Sequence, residues 1–267
     1  MIHQNITDDI HNLLNPTKGY AFRRGFLEPR QAEKYRSDCA RFLQTTKRIY
    51  KNIHRYSKRD YIWSPDRKVV PGEFTYRIYQ SLQDKHSSDT EAIFDQMLSL
   101  RNAIEETWLT DGRYRASREG LYDYVQVTTY GKHSQGIEKH NDYKGNAPYP
   151  LLQCLVFLSQ PDLDYRGGDL ILYPKEGAPI NIQRTLDIKK GDALLFDKSL
   201  YHQVEPSEPS KLSDVGRWTA VIGGRYPKPP SVSQRIKSCF WLMDSQLKRV
   251  LRAPYRALRS VEKKNPL

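Results

Sequence analysis

No run of apolar residues in this 267-residue chain approaches the ~20 that a membrane-spanning helix needs, so a spanning segment is not expected. The first fifteen residues carry Asp8, Asp9 and polar side chains but no apolar stretch, and no secretory leader is read there. Cysteine is scarce. Cys39, Cys154 and Cys239 are an odd number at unrelated spacings, which argues against a disulfide framework and against a cysteine-based zinc module. A reducing cytoplasm is the compartment these absences point to. Internal repeats and low-complexity tracts are missing as well.

The chain does have the means to build a core. Hydrophobic residues are 38% and charged residues 28% of the total, the balance of an ordered globular protein rather than a disordered one. Eighteen tyrosines favour strands or a ligand cleft. The net charge of +12 is unevenly spread, because residues 224–267 hold 11 Lys and Arg against only Asp244 and Glu262.

Over residues 29–50, Ala32, Tyr35, Cys39, Phe42, Leu43, Thr46 and Ile49 recur at steps of three and four, which predicts an α-helix with one apolar stripe. A second helix is predicted over 90–109 from Ile93, Phe94, Met97, Leu100, Ile104 and Trp108, with Asp89 or Thr90 as its cap. Both are expected to cover a sheet. Residues 56–88, polar and broken by Pro65 and Pro71, read as a loop or lid. After Gly120 short β-rich runs take over, at 122–129, 151–158, 169–173, 185–188, 193–197, 201–204 and 218–222. Strands without intervening helices predict a mostly β fold of the double-sheet jelly-roll type. A basic amphipathic helix is read over 232–264, kinked or ended by Pro254. The expected organisation is a helical region at 1–119, a β core at 120–228 and a basic extension at 229–267, integrated as one domain.

Chemistry concentrates in His140-Asn141-Asp142, answered by His202 and then by Arg217. Two residues apart on an extended chain, His140 and Asp142 leave the same face about 7 Å from each other and can share one ion. His202 belongs to a later strand. Two imidazoles and a carboxylate on one side of a metal leave its other positions open, the arrangement of non-heme Fe(II) oxygenases. Zinc accepts the same donors, but the lack of thiolate and the presence of a downstream arginine able to clamp a dicarboxylic acid favour iron.

Four motifs surround these residues in order. Tyr130-Gly131-Lys132-His133 opens a turn ten positions before His140; Tyr165-Arg166-Gly167-Gly168-Asp169-Leu170 follows; then come Lys189-Lys190-Gly191-Asp192 leading to Phe196, and His202-Gln203-Val204-Glu205-Pro206. In these, residues 124–226 resemble the double-stranded β-helix core of the Fe(II)/2-oxoglutarate dioxygenases, in the prolyl 4-hydroxylase-like branch. Asp169 replaces the glutamate of that branch, and a polar insertion at 207–214 separates His202 from Arg217 more widely than is usual.

The resemblance implies Fe(II) held by His140, Asp142 and His202, with 2-oxoglutarate and O2 as co-substrates and ascorbate as an auxiliary reductant. Arg217 would pair bidentately with the distal carboxylate of 2-oxoglutarate, assisted by Tyr130. Because Asp142 is present, where halogenating relatives leave that position vacant, hydroxylation of a C–H bond is the implied outcome. Strand parity sends Gln153 inward with Leu155 and Phe157, and Leu170 with Thr219, as further pocket candidates. Tyr124 is a candidate for the cleft wall. His133 is assigned surface or substrate contact, and His3, His11, His54 and His86 no role.

The substrate is less legible. Arg113, Arg115, Arg118 and Lys144 lie near the expected mouth in sequence and suggest an anionic small molecule or saccharide. Family members also act on peptidyl proline and on lipid-linked sugars of the Kdo type. The basic tail, with Phe240, Trp241, Leu242 and Met243, suits an anionic membrane surface, at roughly 1 kcal/mol per well-placed Lys or Arg. Packing on the core or on a second copy of the chain is the other expectation for it. Nucleic acid is not expected, since no aromatic strand motif or helix-turn-helix is present. A binding module that keeps this fold without the reaction is the non-enzymatic alternative, and the complete ligand set weighs against it.

Overall fold

Alternation along the strands sorts the apolar side chains into two layers, one beneath the helices and one between two sheets. The structure is a computed structural model and describes residues 6–46, 48–49, 61–63, 75–82, 84–110, 124–130, 134–142, 152–212 and 215–222. The chain divides into two compact units, Met1–Pro227 and Lys228–Leu267, and all the described residues belong to the first. In order, they form α1 (Ile6–Leu14), β1 (Tyr20–Arg23), α2 (Pro29–Thr45), β2 (Arg48–Ile49), β3 (Tyr61–Trp63), β4 (Thr75–Ser81), α3 (Ser88–Thr110), β5 (Tyr124–Tyr130), β6 (Ile137–His140), β7 (Leu152–Phe157) and β8 (Tyr165–Gly167). Then follow β9 (Leu170–Tyr173), β10 (Ile180–Asn181), α4 (Ile182–Leu186), β11 (Ala193–Asp197), β12 (Tyr201–Val204), β13 (Ser207–Pro209) and β14 (Arg217–Ile222).

The large sheet runs β1-β11-β7-β14-β5-β4-β3-β2 and the small one β10-β9-β12-β6, while β13 pairs with β8 apart from both. All these pairs are antiparallel except β2 with β3. This is a double-stranded β-helix with helices added on the outside of the large sheet. Val127, Ala220, Cys154 and Leu195 pack outward with Met97, Ile104 and Tyr35 of the helices. Tyr130, Val221, Leu155 and Leu194 face inward toward Leu170, Leu172 and Val204 of the small sheet. Each fully buried aliphatic side chain contributes roughly 1.5–3 kcal/mol, so the two layers fix which face of every strand looks into the cleft.

Local signals explain the helix starts. Glu28 and Gln31 form a reciprocal capping box and Pro29 takes the first helical position of α2. On α3, Arg101 is fully buried with its Nε 3.8 Å from Glu105. Burial pushes the nearby Cys154 thiol up to about 12, which leaves it a packing group rather than a nucleophile.

Several expectations are corrected. The helix over 29–50 ends at Thr45, because Thr46 turns extended and Arg48–Ile49 enter the large sheet. Residues 56–88, read as loop or lid, contain β3 and β4, which continue that sheet beyond β5. The strand expected at 185–188 is the end of α4, capped by the Asn181 side chain accepting from the Arg184 N–H and closed by Asp187 at φ 46°. The insertion at 207–214 begins with β13, whose Ser207 pairs with Gly167. Helix α1 was not foreseen. The helix read over 232–264 lies outside the described residues. Among the described residues no helix is long and apolar enough to cross a membrane.

Gly191 shows how tightly the layers are joined. Its φ is +90°, its carbonyl accepts from the Leu27 N–H at 2.8 Å, and a Cβ there would stand 2.2 Å from the Leu27 carbonyl oxygen. Gly191→Ala is therefore expected to cost about 1–3 kcal/mol, seen as a lower urea midpoint in equilibrium unfolding.

Candidate metal centre

Antiparallel pairing of β6 with β12 sets His140 directly opposite His202. Their ring centroids are 4.3 Å apart at 52°. The ladder shifts register between His202 and Val204, an irregularity of the kind that re-aims a side chain. Asp142 lies two residues past His140, beyond the end of β6, where its N–H donates to the Lys198 carbonyl at 3.1 Å. That bond ties the exit of β6 to the turn before β12.

One carboxylate then faces two imidazoles. Asp142 Oδ1 is 3.9 Å from His140 Nε2, and Oδ2 is 3.8 Å from His202 Nε2. These separations are too long for hydrogen bonds and short enough for one ion to touch all three side chains, whose ligand atoms lie within 4.8 Å of one another. Both Nδ1 atoms are engaged with backbone carbonyls, that of Glu138 at 2.7 Å and that of Leu200 at 3.1 Å. An imidazole that donates from Nδ1 presents the Nε2 lone pair, and here both lone pairs turn to the same point. The donor set, two neutral nitrogens and one carboxylate, fits a ferrous ion.

Burial holds the His202 pKa below 6.5, against the pull of Asp142 and with the help of His140. A depressed native value means that the unfolded chain binds the extra proton first. The contribution is thus complete above about pH 6.5 and is lost as pH falls through the native value. Metal-free protein should have a lower urea midpoint at pH 5.5 than at pH 7.5, and a histidine-to-glutamine change at 202 should flatten that difference.

Behind the triad, β14 pairs with β5 so that Arg217 stands opposite Tyr130. Arg217 is 1% exposed, its guanidinium carbon 4.7 Å from the centre of the Tyr130 ring. Its Nε and Nη2 are buried and find no acceptor among the described residues. A buried guanidinium with two unanswered donors is costly unless an anion arrives, and a planar carboxylate matches that fork. The residues present therefore fit 2-oxoglutarate as well as iron. Tyr130 ends a strand here rather than sitting in a turn.

The other predicted pocket residues share this interior to different degrees. Thr219 lies opposite Phe157 and Thr128, two positions along β14 from Arg217. Leu155 and Leu170 belong to the apolar cluster that contains Tyr130. Gln153 is farther along β7, opposite Phe196, whose ring is 5.1 Å from that of His202. Tyr124, half-buried, starts β5. Arg113, Arg115, Arg118, Lys144 and His133 lie outside the described residues.

Sequence reasoning passed over Tyr165 and Gln183. Tyr165 is fully buried, which pushes its phenol up against the pull of the Arg217 charge, and its ring and Arg217 Cδ both border Gly168, 3.4 and 2.7 Å from where a Cβ would stand. Gln183 accepts from the Leu170 N–H at 2.7 Å and donates to the Gly168 carbonyl at 3.1 Å, fixing the turn beside Arg217. The signal for Tyr165 was its place in the Gly167-Gly168 motif; nothing local marked Gln183.

Residues 125–222 match the sequence profile described as the 2OG-Fe(II) oxygenase superfamily. No curated protein sequence matches the chain. Among solved structures, a prolyl 4-hydroxylase of Pseudomonas putida is 12% identical, with a TM-score of 0.54 over 84% of this chain and 100% of that one. A prolyl hydroxylase of Trichoplax adhaerens, solved with a hypoxia-inducible-factor peptide fragment, is 16% identical with a TM-score of 0.54, over 83% and 89%. A prolyl 4-hydroxylase of Phytophthora capsici is 15% identical with a TM-score of 0.53, over 90% and 72%. At these identities the likeness establishes the fold.

Proposed function

Residues 125–222 belong to the 2OG-Fe(II) oxygenase superfamily, and we propose that this dioxygenase hydroxylates a C–H bond of a small-molecule or saccharide substrate while 2-oxoglutarate is decarboxylated to succinate. The observation that carries the reading is the convergence of His140, Asp142 and His202 on one point, with Arg217 buried behind them. A ferrous ion bound there with 2-oxoglutarate supplies the activation of O2.

The chain's own residues do the rest. His140 and His202 offer neutral nitrogens whose direction is set by backbone acceptors, and Asp142 brings one negative charge. Arg217 receives the distal carboxylate, and its contact with the Tyr130 face keeps the guanidinium plane in place. Leu155, Phe157, Leu170 and Val221 exclude water from that end of the cleft. Exclusion of water strengthens each charge interaction inside.

Anaerobic addition of Fe(II) and 2-oxoglutarate should produce a weak visible charge-transfer band, and succinate release should rise when a substrate is supplied. A screen across amino acids, proline-containing peptides, nucleotide-linked sugars and lipid-linked sugars separates the substrate classes. Stimulation by the peptides alone would replace the small-molecule reading with peptidyl prolyl hydroxylation. A folded protein that binds neither iron nor 2-oxoglutarate leaves only a binding module. For a lipid-linked substrate, co-sedimentation of full-length protein with anionic vesicles, lost on truncation after Pro230, is the supporting result.

A further inference from the structure

The large sheet carries a second cationic position on its inner face. β4 pairs with β5 so that Arg77 lies opposite Thr128 and Tyr79 opposite Gln126. Across β5, Thr128 faces Thr219 and Gln126 faces Val221, a member of the cluster between the sheets. Ile78 belongs to the layer beneath the helices. Alternation therefore turns Arg77 and Tyr79 inward, toward the metal centre. An aliphatic side chain would be buried there without electrostatic cost, whereas a guanidinium must be desolvated. Burial does work against its charge, yet the Tyr79 hydroxyl, Tyr130 and the Asp142 carboxylate hold its pKa above the usual arginine value. Arg77 is thus within electrostatic reach of a metal ligand.

Its surroundings differ from the rest of the interior. Across β7 and β11 the inner face is packed shut by Leu155, Phe157, Leu194 and Phe196. Around Arg77 it is polar and aromatic: Gln126 Nε2 donates to Thr128 Oγ1 at 3.2 Å, and the Tyr79 and Tyr124 rings meet edge to face at 5.2 Å. Tyr79 and Thr128 are buried, but Arg77, Tyr124 and Gln126 keep part of their surface accessible. Arg217 stands on the other side of β5, opposite Tyr130, so the two guanidiniums flank β5 on one face, two positions out of step.

We infer that Arg77, with Tyr79, Tyr124 and Gln126, forms a binding subsite for an oxyanion group, carboxylate or phosphate, of the primary substrate, on the inner face of the large sheet and across β5 from the co-substrate's place at Arg217. This rests on the oxygenase reading for the identity of the site it adjoins. A fork of donors on an accessible polar wall holds one end of the substrate, which fixes the end that reaches the metal. It also accounts for a charged residue on the inner face of the strand.

The test uses full-length protein with Mn(II) in the metal site and saturating 2-oxoglutarate, and measures paramagnetic relaxation of the 31P line of inorganic phosphate and of the methyl protons of acetate. Wild type should relax at least one of the two anions, and which one identifies the oxyanion. Arg77→Gln should reduce that relaxation about tenfold, as expected for loss of a charge-assisted contact, with Arg77→Lys between them. Mn(II) and 2-oxoglutarate affinities should stay near wild type in both variants. The inference is overturned by wild type relaxing neither anion, or by Arg77→Gln relaxing them equally well. Loss of Mn(II) or 2-oxoglutarate affinity in a folded Arg77→Lys also overturns it, since Arg77 would then serve the metal or co-substrate. If wild type binds no Mn(II), the oxygenase reading falls instead, and exchange broadening of the phosphate line in metal-free wild type and Arg77→Gln still decides the anion site.

Discussion

Asp142→Ala should abolish Fe(II)-dependent succinate formation, lowering it by about 10³-fold or more, while leaving the fold intact. The metal contributes several kcal/mol of stabilisation, and each 1.36 kcal/mol is a factor of about ten. Iron affinity should fall by more than the roughly 10–100-fold that loss of an outer hydrogen-bond partner costs a metal site. Stability has little to lose. The Asp142 side chain is 39% exposed and stands beyond the end of β6, so its removal opens no core cavity. His202→Ala is a less clean probe, because His202 is 5% exposed and packs against Phe196. Equilibrium dialysis with Fe(II) under anaerobic conditions and succinate quantification check both halves. An Asp142→Ala protein that binds iron as wild type does would remove the carboxylate from the centre.

What the sequence disclosed follows from how each element earns its stability. The strands at 193–197 and 201–204 were legible because an uninterrupted apolar run and an H-x-V-x-P segment carry their own signal, and β11 is buried at every position. Strand β4 was not legible, since it is polar on both faces: Gln80 bonds with Tyr35 beneath the helices while Arg77 faces the interior. Its partner β5 and helix α2 above it decide its conformation, and both are distant in the chain. The run at 185–188 misled for the opposite reason. β-Branched Thr185 and Ile188 suggest a strand, but an Asn181 cap and a left-handed Asp187 turn the segment into a helix. In the centre itself, the spacing of His140 and Asp142 suggested one extended strand. The structure ends the strand at His140 and lets the Lys198 carbonyl position Asp142, a contact with no local trace in sequence.

Arg217→Met should separate binding from stability. In wild type the guanidinium is held inside the protein with Nε and Nη2 unanswered among the described residues, and each buried unsatisfied donor costs about 1–3 kcal/mol. Methionine removes that cost and loses the contact with the Tyr130 ring, worth roughly 0.5–2 kcal/mol, so the ligand-free variant is expected to melt at or above the wild-type temperature. Binding should suffer heavily. Losing one partner of a buried charge pair costs about 2–5 kcal/mol, which raises the Kd for 2-oxoglutarate by roughly 30-fold to a few thousandfold. Wild type at ~100 times its Kd gains about 2.7 kcal/mol of stability from the ligand, a rise in melting temperature that the variant should not show. Arg217→Lys restores the charge without the planar fork and should recover only part of the affinity. Space around the side chain is already measured to arginine, for a Cβ on Gly168 would stand 2.7 Å from Arg217 Cδ. Gly168→Ala, with φ at +66° as well, should therefore weaken 2-oxoglutarate binding although the guanidinium remains. If Arg217→Met binds 2-oxoglutarate as wild type does, the distal carboxylate is held elsewhere. If it instead unfolds at lower temperature, the unanswered donors have a protein partner in solution.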